Sequence, residues 1–189
     1  MMSTTMTFRG WIEVGFAAAL LTAVGCSTGT GTSPAPALAC TDGGAASGNG
    51  VVLACGGPTA PTTEQVNVVM GGPASGSTTL RGLNFDVIYD PAKLTFMPAA
   101  SYTSPLFPGA LVAVTLYNGQ PGRVVVSIQE TGGAADVSVA PGQHAVLNLS
   151  FQMATGVAVT PTPVVFANPE ATAASTTISF ASALALSYQ

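Results

Sequence analysis

Charge is what this chain has least of. Four basic and eight acidic residues stand among 189, a charged fraction of 6%, where a typical soluble domain carries about 25%. So few charges exclude a long, solvated helical surface. The basic residues Arg9, Arg81, Lys93 and Arg123 do not cluster. Without a basic patch there is no footprint for a phosphate backbone, and nucleic acid is not an expected partner. The net charge of −4 bears on solubility. Histidine is almost as scarce. His144 is the only one, so a Ser–His–acid site would have to use it. It lies in P-G-Q-H-A, a turn entering a strand, and no nucleophile-elbow motif is present. It reads as a surface turn histidine. There is no D-x-D-x-D-G calcium loop, no glycine-rich loop ahead of a helix and no C-x-x-C pair. The expectation is a chain that is not an enzyme and takes no cofactor and no metal.

What is present begins with an address. Val14 to Val24 is uncharged and mostly apolar. As a helix it would reach about 16 Å, too short for a bilayer core of about 30 Å and suited to a signal-peptide core. It ends in T-A-V-G-C, Thr22 to Cys26, which resembles a bacterial lipobox. That resemblance implies cleavage after Gly25 and a lipid on Cys26. Acyl chains contribute about 0.8 kcal/mol per buried methylene, so the anchor would be effectively permanent. Ser27 is not the Asp associated with inner-membrane retention, and the sorting rule it resembles points to the outer membrane.

Residues 26–49 are rich in Ser, Thr, Gly, Pro and Ala and read as a lipidated flexible tether. With Cys26 committed to lipid, Cys40 and Cys55 remain. They are either two free thiols or, in an oxidising envelope, a disulfide closing a loop of about 15 residues.

From Gly50 the pattern changes. Short Val-rich runs recur between Gly, Pro, Asn and Asp: V-V-L-A from Val51, V-N-V-V-M from Val66, L-N-F-D-V-I-Y from Leu83, L-V-A-V-T-L-Y from Leu111, R-V-V-V-S-I from Arg123, A-V-L-N-L-S-F-Q-M from Ala145, P-V-V-F from Pro163 and T-I-S-F-A-S-A-L-A-L from Thr177. Such spacing predicts an all-β sandwich or barrel over residues 50–189. Two runs alternate cleanly, with Leu83, Phe85, Val87 and Tyr89 opposite Asn84 and Asp86, and Leu147, Leu149, Phe151 and Met153 opposite Asn148, Ser150 and Gln152. Period two means one buried and one wet face.

The segment L-N-F-D-V-I-Y-D-P-A-K-L-T-F, Leu83 to Phe96, resembles the cohesin pattern of an alternating strand, Tyr-Asp-Pro, a short turn and Leu-x-Phe. Val51–Ala54 and Val66–Met70 with the loop between them, Gly122 to Gly132, and Ala140 to Met153 follow in cohesin order. The resemblance implies a jelly-roll β-sandwich of about nine strands, like that of carbohydrate-binding modules. It also implies a role in binding dockerin modules of polysaccharide-degrading enzymes, through one sheet face built from strands like those at Leu83, Leu111, Arg123 and Ala145. A glycosidase pair among the acids is disfavoured, because the same resemblance puts most of them on turns. Tyr89-Asp90-Pro91 itself reads as a structural corner.

The expected partner surface is the face carrying Asn84, Asp86, Asn148, Ser150 and Gln152, since the resemblance places both alternating strands in one sheet. Its residues are polar and barely charged, which suits neutral hydrogen bonding to a protein partner. A plain solvated face, or a ligand on the loops near Tyr102 and Phe107, stays open. So do direct carbohydrate binding, for which Tyr102, Phe107 and Tyr117 are the aromatic candidates, and a structural or adhesive envelope role.

Overall fold

The computed structural model describes residues 37–154 and 160–188. Cys26 and the apolar run before it lie outside the described residues. Thirteen strands occur in chain order: β1 (Leu38–Thr41), β2 (Gly50–Ala60), β3 (Thr63–Gly71), β4 (Thr78–Leu80), β5 (Gly82–Ile88), β6 (Leu94–Met97), β7 (Ala110–Leu116), β8 (Arg123–Glu130), β9 (Val137–Val139), β10 (Gln143–Met153), β11 (Thr162–Thr172), β12 (Ser179–Ala181) and β13 (Leu184–Tyr188). One sheet has six strands in the order β1-β13-β11-β5-β8-β7. A second has five, β12-β2-β3-β10-β6, and β4 pairs with β9 as a small ribbon. The fold is the expected all-β sandwich. The count exceeds about nine because β1, β4, β6, β9 and β12 are only three or four residues each.

Every Val-rich run falls on a strand, because β-branched side chains at alternate positions pack well on a pleated, half-buried surface. The inward residues are Leu83, Phe85 and Val87 of β5 and Val124, Val126 and Ile128 of β8. They meet Val66, Val68 and Met70 of β3 and Leu147, Leu149 and Phe151 of β10, all buried. Edge-to-face aromatic pairs lock the contact: Phe85–Phe166 at 5.1 Å and Phe166–Phe180 at 5.5 Å, with Tyr89–Phe151 at 5.3 Å. The run from Thr177 divides into two strands. β12 lies parallel to β2 in the smaller sheet, and after Ser182 and Ala183 the chain re-enters the larger sheet as β13.

Tyr89-Asp90-Pro91 is a corner, as its residues imply. Tyr89 is buried and its N–H donates to the Gly122 carbonyl at 3.0 Å. Asp90 Oδ1 accepts from Ala92 N at 2.9 Å, the two-residue side-chain turn this residue favours. Gly122 has φ +102° and passes close to the Pro91 ring.

The tether reading of residues 26–49 does not hold over its described part. Leu38–Thr41 is strand β1, paired antiparallel with β13, and Leu38 is buried. The Cys40–Cys55 disulfide is formed, with Cα atoms 5.7 Å apart. It joins β1 of the six-stranded sheet to β2 of the five-stranded one. Asp42 reinforces the staple by accepting from Cys55 N at 2.8 Å. One leucine and one cysteine in a small-residue background are enough to dock the segment, and average composition conceals them. The folded unit starts before residue 50, and its core, both sheets and the disulfide all lie between Leu38 and Tyr188.

Candidate functional site

The five polar residues expected on one surface lie on two. Asn84 and Asp86 belong to β5 in the six-stranded sheet, whereas Asn148, Ser150 and Gln152 belong to β10 in the five-stranded sheet. The two outer faces look away from each other across the core. The strand that completes the sheet of β5, β7 and β8 is β11.

On the six-stranded sheet, residues opposite one another in adjacent antiparallel strands share a face. Register therefore sorts the outer surface into rows. Thr172, Gly82, Gln129 and Leu111 form one row; Glu170, Asn84, Ser127 and Ala113 form the next; Ala167, Asp86, Val125 and Thr115 form a third. Ser127 Oγ donates to Asn84 Oδ1 at 2.8 Å. Gln129 Nε2 donates to the same oxygen at 3.3 Å and to Thr172 Oγ1 at 3.0 Å. The Gln129 amide nitrogen thus ties β8 to both β5 and β11.

Asp86 differs from expectation. It does not stand free in water: its side chain is 5% exposed, and Arg123 meets its Oδ2 at 2.6 Å. Asn168 Nδ2 donates to the same oxygen at 2.6 Å. A register shift in β11 between Ala167 and Glu170, with Asn168 at φ 47°, brings that amide over the carboxylate. A shift of this kind re-aims a side chain that a regular strand would send elsewhere. Arg123 also stacks on Tyr117, its guanidinium 4.1 Å from the ring centroid. Alternation alone placed Asp86 on the outer side; its partners Arg123 and Asn168, and the stacking of Arg123 on Tyr117, carried no sequence signal because register, not spacing, brings them together. The face ends in two uncovered apolar side chains, Leu111 at 66% and Tyr117 at 45% exposure.

The face of the five-stranded sheet is neutral. Asn148 stands opposite Asn67, Ser150 opposite Gln65 and Met97, and Gln152 opposite Thr63 and Thr95. The loop alternative loses its anchors. Phe107 is a core residue, and Tyr102 is half-buried with its hydroxyl oxygen accepting from Ala99 N at 2.9 Å. Tyr117 is the one exposed aromatic of the three candidates. His144 stands near the start of β10, where Nε2 lies 2.9 Å from the Ala140 carbonyl. Among the described residues no group of three or more His, Cys, Asp or Glu side chains is placed to hold a metal ion, and no helix is long and apolar enough to cross a membrane.

No protein-family model and no curated protein sequence matches the chain. Solved structures do. The third cohesin ScaC of Acetivibrio cellulolyticus, determined in complex with the ScaB dockerin, is 14% identical at a TM-score of 0.50; the match covers 70% of this chain and 94% of that one. The sixth cohesin of Acetivibrio cellulolyticus scaffoldin B, in complex with a Cel5 dockerin, is 17% identical at 0.47, over 65% and 84% of the two chains. The seventh ScaB type I cohesin of Pseudobacteroides cellulosolvens is 13% identical at 0.47, over 70% and 87%. The chain shares the cohesin fold.

Proposed function

We propose that this chain is a non-catalytic binding module whose six-stranded outer face receives a protein partner of the dockerin type, and that a lipid on Cys26 holds the pair at the cell envelope, with the outer membrane as its address. The observation that carries this reading is the state of that face. Its polar side chains are already bonded to one another across β11, β5 and β8, so ordering them adds little cost on association. The exposed Leu111 and Tyr117, at the two ends of the edge strand β7, supply apolar anchors flanking that frame. The cohesin of like fold was solved with a dockerin bound, which supports the same class of partner here. A link to polysaccharide would then run through the partner's own enzyme.

The test is calorimetric titration of the soluble unit from Pro34 onward with calcium-loaded dockerin modules encoded in the same genome. Ser127→Arg places an unmatched charge in the six-stranded face and should abolish binding. Asn148→Arg, on the opposite face, should leave it unchanged. The reverse pattern would move the site to the five-stranded face, and no binding by the wild-type unit would remove the dockerin reading. For the anchor, Cys26→Ser should abolish fatty-acid labelling of the full chain in cells; undiminished labelling would refute it.

A further inference from the structure

Among the described residues, strand β7 is the last strand of the six-stranded sheet, bonded to β8 along one side. A free edge is a template for pairing, and proteins usually blunt such edges with short strands, charge, proline or bulges. The other terminal strands of the two large sheets follow that rule, since β1, β12 and β6 have four, three and four residues. β7 does not. It runs seven residues, A-L-V-A-V-T-L, without charge, proline or glycine, and its register with β8 is unbroken. Its inner side chains Val112, Val114 and Leu116 stay only partly covered, while Val124, Val126 and Ile128 next to them on β8 are fully buried. Its outer side ends in Leu111, the most exposed large apolar side chain among the described residues.

We infer that β7 is a self-association edge. Two copies pair β7 to β7, antiparallel about a two-fold axis at Ala113, and join their six-stranded sheets into one. The central Val112-Ala113-Val114 reads the same in both directions about that residue. Val112 meets the partner's Val114, Leu111 the partner's Thr115 and Ala110 the partner's Leu116, so each pair falls on one face as period two requires. Charge agrees with this orientation. β7 itself buries no charge, and antiparallel pairing sets the end beside Glu130 of one copy against the end beside the Arg123–Asp86 pair of the other, keeping the two Glu130 carboxylates apart. Parallel pairing would set like ends together. An isologous contact of this kind closes at two copies. One strand edge covers less than the usual interface of about 800 Å² per partner, so the association is weak in dilute solution and gains where copies are held on one surface. This goes beyond the partner-binding reading and does not depend on it.

Sedimentation equilibrium of the unit from Pro34 onward, taken up to about 1 mM, should show a reversible monomer–dimer equilibrium. Ala113→Lys and Ala113→Glu each place two like charges at the axis and should each stay monomeric. Mixed in equal amounts they should recover association, at least tenfold above either alone. In an independent reading, Ala113→Cys should cross-link to its own copy on mild oxidation, because facing Cα atoms lie about 4.5–5.5 Å apart. Thr115→Cys should not, because its own copy sits about 13 Å along the partner strand. A wild-type unit that remains monomeric throughout would overturn the proposal and leave the edge to a foreign strand. So would charge variants that associate as wild type does, an equal mixture that fails to associate, or Thr115→Cys cross-linking as readily as Ala113→Cys.

Discussion

Arg123 and Asp86 form an ion pair that is closed on one side and open on the other. The two side chains meet at 2.6 Å, with the acid 5% exposed and the base 36%. The same Asp86 oxygen also accepts from Asn168 Nδ2, and Arg123 lies over Tyr117. The pair therefore braces β11, β5 and β8 at the same time and fixes the aromatic end of the candidate face.

Removing the base strands the acid. Arg123→Ala should destabilise the domain by about 1–3 kcal/mol, the cost of leaving a buried charged acceptor short of its main partner. Asp86→Ala should cost a similar amount, and the double variant should cost clearly less than the two singles added, because neither survivor is then stranded. Urea denaturation of the four proteins at pH 7 measures the coupling. Simple additivity would mean that the pair is not a structural brace.

Glu64 gives a pH dependence of known sign. It is an inward residue of β3, 2% exposed, with its carboxylate accepting from Gly57 N at 2.9 Å. Burial raises its pKa above the ordinary value of 4.5, and the smaller effect of the Gly57 bond opposes this. The folded state therefore holds the proton more tightly than the unfolded state. Its stabilising effect is full below the unfolded pKa and is lost as pH rises through the folded one. Glu64→Gln keeps an acceptor for Gly57 without the buried charge. It should melt higher than wild type at pH 7, and the difference should shrink as pH falls below 4.5. Paired thermal scans at both pH values decide it, and a variant that melts lower at pH 7 contradicts it.

Alternation made the core legible. The stripe Leu83, Phe85, Val87 and Tyr89 and the stripe Leu147, Leu149 and Phe151 are buried as their spacing demands. Alternation says which side of its own sheet a residue takes, but not which sheet a strand joins. That depends on pairings between distant segments: β5 joins β8 and β11, while β10 joins β3 and β6. Hence Asn84 and Asn148, alike in local pattern, face opposite ways. The ion pair was hidden for the same reason, since Arg123 reaches Asp86 only through the register that sets Ile88 opposite Arg123. β1 was masked by neighbours too small and polar to suggest a strand.

Gly122 gives a test of the corner that ends β5. With φ at +102°, an added Cβ would be strained and would also press on Pro91 at 3.3 Å. Gly122→Ala should destabilise by about 1–3 kcal/mol and should disturb Tyr89, whose N–H is bonded to the Gly122 carbonyl. Chemical denaturation gives the size, and near-ultraviolet circular dichroism reports the tyrosine. An unchanged midpoint would show that the corner is slack.

Where the folded unit begins can be settled by truncation. A chain starting at Gly50 loses β1, the Asp42 bond to Cys55 and the disulfide, and leaves β13 as an uncovered edge with Leu186 losing its neighbour. The cross-link is worth about 3 kcal/mol in the loop-entropy account. Burial of Leu38 adds about 1.5–3 kcal/mol. Against a total stability of about 5–15 kcal/mol, those losses would leave the shortened domain marginal. The fragment from Pro34 should be cooperative and resistant to protease. The fragment from Gly50 should melt far lower and be cut rapidly. Cys40→Ser with Cys55→Ser in the longer fragment should fall between them, since β1 can still pair with β13. Equal midpoints for the two fragments would show that β1 rests on the domain without holding it together.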